Sequence, residues 1–223
     1  MLYLLASLPA PFGLVYVPNK LLVLNDPTAT ANHIRASESL LRVGLGCELW
    51  QAIMFIFVVL VLYRLFRAVS EAHALAMMIL MLISIPIFLV SVVYEIAALF
   101  VLSGADFLSV FDSSQLNTLA YLFMRLHSRT ILVAYIVGCL WFFPFGILVI
   151  RSGFIPRILG YLLFVAAFGY LPASLSFLLL PDYGPLVDKF ASNLTVCEVP
   201  IILWLLIWGA KDQRGRAPDP VAV

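Results

Sequence analysis

From Ala74 to Leu102 the chain carries one charged residue, Glu95. About 20 apolar residues cross a bilayer core at roughly 1.5 Å per residue, and this run is longer. It reads as a membrane-crossing helix. The isolated carboxylate is the stronger constraint, because a charge at that depth must face protein or water and not lipid. The chain has to build neighbours around Glu95, and their identity is the functional question.

Composition carries the same message. The 223 residues are 64% hydrophobic and 11% charged, with a mean hydropathy of +1.08. An average soluble chain carries roughly 25% charged residues. A soluble core of this size needs more polar surface than such a chain supplies. The expectation is an all-α fold, a polytopic membrane protein with a six-helix transmembrane bundle in one domain over residues 1–210. The spans fall at about 1–17, 43–66, 74–102, 130–150, 158–180 and 186–210, and a polar cytoplasmic tail follows at 211–223. Pro9, Pro11 and Gly13 should kink or split the first span, Pro86 should bend the third and Pro200 the sixth. The first run lacks the basic flank and cleavage site of a signal peptide, so it reads as a retained helix.

Short amphipathic helices are expected in the first and third loops. Asp26 followed by Pro27 matches an N-cap and a first-turn proline, which places a helix over Thr28 to Ala36. Asp112-Ser113-Ser114-Gln115 resembles a capping box, and Leu116, Leu119, Phe123 and Leu126 then share one stripe. That segment, Asp112 to His127, either lies on the membrane or runs straight into span four.

Six spans put both termini on one side. That side carries Arg64, Arg67, Arg151, Arg157, Lys211, Arg214 and Arg216 against three acids. The other side carries six basic and six acidic residues. The acid-poor turns predict cytoplasmic termini in a multi-pass protein of the cell membrane. The net charge of +1 gives no reason to expect a nucleic-acid partner, which leaves the lipid bilayer and a small ligand or cation. Cys47, Cys139 and Cys197 match no zinc ribbon or CxxC motif and read as small buried hydrophobes.

Three acids lie inside apolar spans: Glu48, Glu95 and Glu198. Gln51 sits one turn from Glu48, and His127 and Arg129 sit at the mouth of span four. The predicted site is one outward-facing polar cavity lined by Glu48, Gln51, Glu95, His127, Arg129 and Glu198. Carboxylates with an imidazole can bind a divalent metal, relay protons or hold a cation, so Glu48, Glu95, His127 and Glu198 are the candidate metal ligands. The competing reading pairs the acids with Arg129, Arg125 or Arg42 to fix helix register. No HExxH, GxSxG or phosphate-binding glycine loop is present, and no motif requires a cofactor. Three functions follow: a small transporter or cation- or proton-coupled carrier, an intramembrane metal-dependent enzyme, or a non-catalytic membrane protein acting through partners. The motifs name no catalytic residue and weigh against a familiar enzyme.

Several segments together resemble the bacterial membrane-protein family called domain of unknown function 4386. They are LPAPFGLVYVPNKLLV near the start, TATANHIRASESLLRVG at Thr28 to Gly44, SGADFLSVFDSSQL, RSGFIPRILGYLL at Arg151 to Leu163, and LWLLIWGAK at Leu203 to Lys211. The resemblance runs in order along nearly the whole chain. It implies a multi-helix protein of the bacterial inner membrane and no activity. Members of the family usually carry a few residues, often one of them basic, ahead of the first apolar run. This chain begins inside that run, so the expectation is a late-assigned start or an unusually short first helix.

Overall fold

The computed structural model describes residues 1–208. Among these residues there is no strand, and seven helices account for the architecture. They are α1 (Leu2–Leu21), α2 (Pro27–Ala36), α3 (Glu38–Phe66), α4 (Glu71–Val101), α5 (Ser113–Ser152), α6 (Arg157–Leu179) and α7 (Gly184–Ile207). All except α2 are long and apolar enough to cross a membrane, which makes this a multi-pass membrane protein. The tail expected at 211–223 lies outside the described residues.

The first span continues to Leu21, beyond its expected end at Val17. Its prolines do not split it, because Pro11–Tyr16 winds as a wider π-helical segment between two α-helical ones. Phe12 and Gly13 both donate to the Pro9 carbonyl at 3.1 Å, which keeps the path continuous. Gly13 then lets α1 lie close on α3: a Cβ there would sit 3.2 Å from the Gly44 carbonyl and 3.3 Å from Glu48 Cγ.

The first loop forms its helix as expected. Asp26 Oδ1 accepts from Ala29 N at 2.8 Å, and α2 begins at Pro27. Two bonds fasten this corner to the start of α5. Arg35 Nη2 donates to Asn117 Oδ1 at 2.9 Å, and the Asn25 amide donates to the Tyr121 hydroxyl at 3.1 Å.

The capping box at Asp112 also forms, with Gln115 N donating to Asp112 Oδ1 and Asp112 N to Gln115 Oε1. The helix it starts does not lie apart on the surface. It runs without a break from Ser113 to Gly138, passes through a 3₁₀ turn at Cys139–Trp141, and continues to Ser152. Neither proline nor glycine interrupts the sequence between Ser113 and Val137, so nothing stops the helix before the bilayer. A 3₁₀ turn at Asp106–Val110 is the other piece of that loop.

Small residues set the remaining contacts, as is common where lipid tails match the side chains in polarity. A Cβ at Gly146 would stand 2.8 Å from the Gly160 carbonyl, and one at Gly160 would stand 2.7 Å from the Gly146 carbonyl. Helices α5 and α6 therefore touch backbone to backbone just above their tight turn, where Gly153 adopts φ 71°. Gly169 plays the same part against Ala191 of α7. Gly138 has ordinary contacts, the nearest to Ser84 at 3.5 Å. Toward the terminal side the core is aromatic, with Tyr3, Phe55, Trp141 and Phe145 meeting edge to face or tilted. Large aliphatic and aromatic side chains such as Phe57, Ile83 and Val93 point outward.

Candidate functional site

Each of the three central helices buries one stripe, and each stripe carries one ionisable residue. On α3 the stripe is Leu41, Gly44, Glu48, Ala52 and Phe55. On α4 it is Phe88, Ser91, Glu95 and Ala98. On α5 it is Asn117, Ala120, Met124, His127 and Ile131. These spacings of three and four keep one face of a helix inward. The packing of α3, α4 and α5 then brings Glu48, Glu95 and His127 together at side-chain exposures of 1%, 0% and 0%.

His127 Nε2 lies 3.6 Å from Glu48 Oε1 and 3.6 Å from Glu95 Oε1. One ligand atom from each of the three residues falls within 4.8 Å of the others. His127 Nδ1 lies 3.1 Å from the Ser91 carbonyl oxygen. A carbonyl only accepts, so Nδ1 carries the proton and Nε2 of the neutral ring turns its lone pair to the carboxylates. Both oxygens of Glu48, both of Glu95 and Nε2 of His127 are buried with no hydrogen-bond partner. Five buried polar atoms on three converging side chains thus have no hydrogen-bond partner.

The other predicted site residues sit elsewhere. Arg129 donates from Nη1 to the Phe177 carbonyl at 2.6 Å, in the last turn of α6, where a cation complements the helix dipole. It follows His127 by two positions, or about 200° around the helix, and so cannot share its face. Glu198 lies in α7, where Oε1 accepts from the Tyr3 hydroxyl and Oε2 from the Tyr170 hydroxyl at 3.3 Å. Arg42 bonds Glu38 one turn away. Among the described residues no arginine or lysine is paired with Glu48, Glu95 or Glu198, so the register-fixing ion pairs do not form.

Gln51 links the two polar groups. Its Oε1 is buried and unpartnered, one turn from Glu48 toward the terminal side. There it lines a cavity of about 470 Å³ together with Ser84, Phe88, Tyr135, Tyr170 and Glu198. Sequence reasoning passed over Ser91, whose carbonyl orients the imidazole, and Tyr3 and Tyr170, which hold Glu198. Ser91 had a signal, lying one turn before Glu95 on the same face. The tyrosines had none, since Tyr3 and Glu198 are 195 positions apart.

Fold and site define a class: a multi-pass helical membrane protein with two carboxylates and an imidazole enclosed among its central helices. The chain belongs to the family described as Domain of unknown function (DUF4386), whose model matches residues 1–209. No curated protein and no solved structure matches it.

Proposed function

We propose that this is a metal-binding membrane protein, with a divalent cation held by Glu48, Glu95 and His127. The observation that carries the reading is the set of five buried polar atoms, on three converging side chains, without a hydrogen-bond partner. An ion at about 2.0–2.2 Å from each of three tetrahedrally placed ligand atoms sets those atoms about 3.4 Å apart. The two 3.6 Å separations from His127 fit that spacing, and all three ligand atoms lie within 4.8 Å of one another. Two carboxylates and a neutral imidazole neutralise a divalent charge, which removes the cost of leaving anions unpaired inside a bilayer. The Ser91 carbonyl supplies the outer-shell bond that metal-ligating histidines need to fix ring and tautomer. One nitrogen and two carboxylates suit zinc, manganese or iron(II). The near-zero exposure of all three side chains favours a resident ion over cargo in transit, and thus an intramembrane metal centre over a carrier.

Elemental analysis of protein purified in detergent is the direct test. About one equivalent of a divalent transition metal per chain is expected, falling to background in His127→Ala. Protein that stays metal-free after incubation with zinc, manganese and iron(II) overturns the reading.

The orientation belongs to the same proposal. Cytoplasmic termini place the centre in the outer half of the bilayer, beneath the α2 corner. Single cysteines at Ser152 and Ser109 in a cysteine-free background report this. Labelling by an impermeant reagent from outside is expected at Ser109 only. Labelling at Ser152 instead reverses the topology.

A further inference from the structure

The cavity beneath Glu48, Glu95 and His127 has features that those three residues do not explain. Its wall is largely apolar, formed by residues such as Leu14, Phe55 and Ile202. Its volume of about 470 Å³ falls within the range of about 300–1,000 Å³ usual for small-molecule sites. The Glu198 carboxylate accepts from Tyr3 and Tyr170 with lone pairs to spare, and Gln51 lines the same cavity. Glu198 can accept a further bond, so the group that complements it is a donor.

The mouth of the cavity lies between α1 and α7. Val15 of α1 and Val196 and Val199 of α7 line it, yet they are 57%, 61% and 43% exposed. All three sit within helices long enough to cross the bilayer. The surface around the mouth is therefore lipid-facing, and whatever passes it comes from the membrane and not from water.

We propose that this cavity binds a single-chain membrane amphiphile whose head carries a hydrogen-bond donor, a hydroxyl or an amine. The chain lies along the apolar wall, and the head reaches Gln51 and Glu198. The volume suits one alkyl chain and not a two-chain phospholipid. This site stands apart from the metal proposal, since it shares no ligand atom with Glu48, Glu95 or His127.

Trp141 lines the cavity and makes the test direct. Replacing Trp50, Trp204 and Trp208 by phenylalanine leaves Trp141 as the sole tryptophan of the four. In nanodiscs, 9,10-dibromostearyl alcohol is expected to quench it saturably, while dibromo-phosphatidylcholine in the same discs does not. The double variant Gln51→Leu, Glu198→Gln should raise the half-saturating alcohol concentration about tenfold, the size of losing one or two hydrogen bonds. Ala10→Phe, which fills the cavity without touching those acceptors, should abolish saturation in protein whose melting temperature matches its parent. No quenching by the alcohol, equal quenching by the phospholipid, or an unchanged response in folded Ala10→Phe protein overturns the proposal.

Discussion

Glu95→Gln is expected to lose bound metal while keeping its fold. The amide fills the same volume and removes a charge from a position with no side-chain exposure. Altering an outer-shell partner of a metal ligand costs about 10–100-fold in affinity, so losing a direct ligand costs more than about 100-fold. Stability gives a second readout with a different sign. In metal-loaded wild-type protein a strong chelator should lower the melting temperature, because it leaves two carboxylates and an imidazole without compensation. In Glu95→Gln the chelator should change nothing, and the variant should melt above stripped wild-type protein. The ion-pair alternative expects the opposite. Breaking a buried pair leaves the partner's charge alone at a cost of roughly 3–5 kcal/mol, so Glu95→Gln would fall well below wild type under every condition. Full metal content in the variant, or wild-type protein indifferent to chelation, ends the metal reading.

The second large effect concerns α5 and α6. A Cβ at Gly160 meets Ile150 Cγ1 at 2.6 Å and the Gly146 carbonyl at 2.7 Å. A backbone oxygen cannot turn aside as a side chain can, so the two helices must separate. Gly160→Ala is expected to cost about 1–3 kcal/mol, the range for overpacking a filled interior. Gly160→Leu should remove the monodisperse peak on gel filtration altogether. Gly46 is the internal control, since a Cβ there meets nothing within 4 Å. Gly46→Ala should match or slightly exceed wild type, because it adds helix propensity at no steric cost. A stable Gly160→Leu protein would mean that α5 and α6 do not pack as described.

The spans were legible because burying so few charges in so many apolar residues leaves one solution. Glu48 and Glu95 were legible for the same reason, as charges that stand out in apolar runs. The buried face of α5 was not legible in its apolar stripe, and the cause is physical. Leu116, Leu119, Phe123 and Leu126 share that stripe, and all four are only half-buried. The buried face is instead the neighbouring one, Asn117, Ala120, Met124 and His127. In a bilayer the large apolar side chains are comfortable against lipid, and the small and polar ones turn to protein. Arg129 was grouped with His127 by proximity along the chain, although two positions on a helix point to nearly opposite sides. Glu198 was grouped by residue type. Its depth of about 18 Å from the start of the last span, against about 8–10 Å for the other two acids, already placed it on a different level. The tyrosine clasp on Glu198 depends on α1 meeting α7, a contact between the ends of the chain that no local pattern encodes.

The unbroken course of α5 couples its two ends. Asn117 and His127 lie on one face of the same helix, about 15 Å apart along its axis. At the upper end, Arg35 and the Asn25 amide grip Asn117 and Tyr121 from the α2 corner. At the lower end, the imidazole meets two carboxylates. A helix resists twisting far better than a loop does, so a turn imposed on the upper end would be carried toward the lower one. The α2 corner is in effect the handle of a key, and the buried imidazole is its bit.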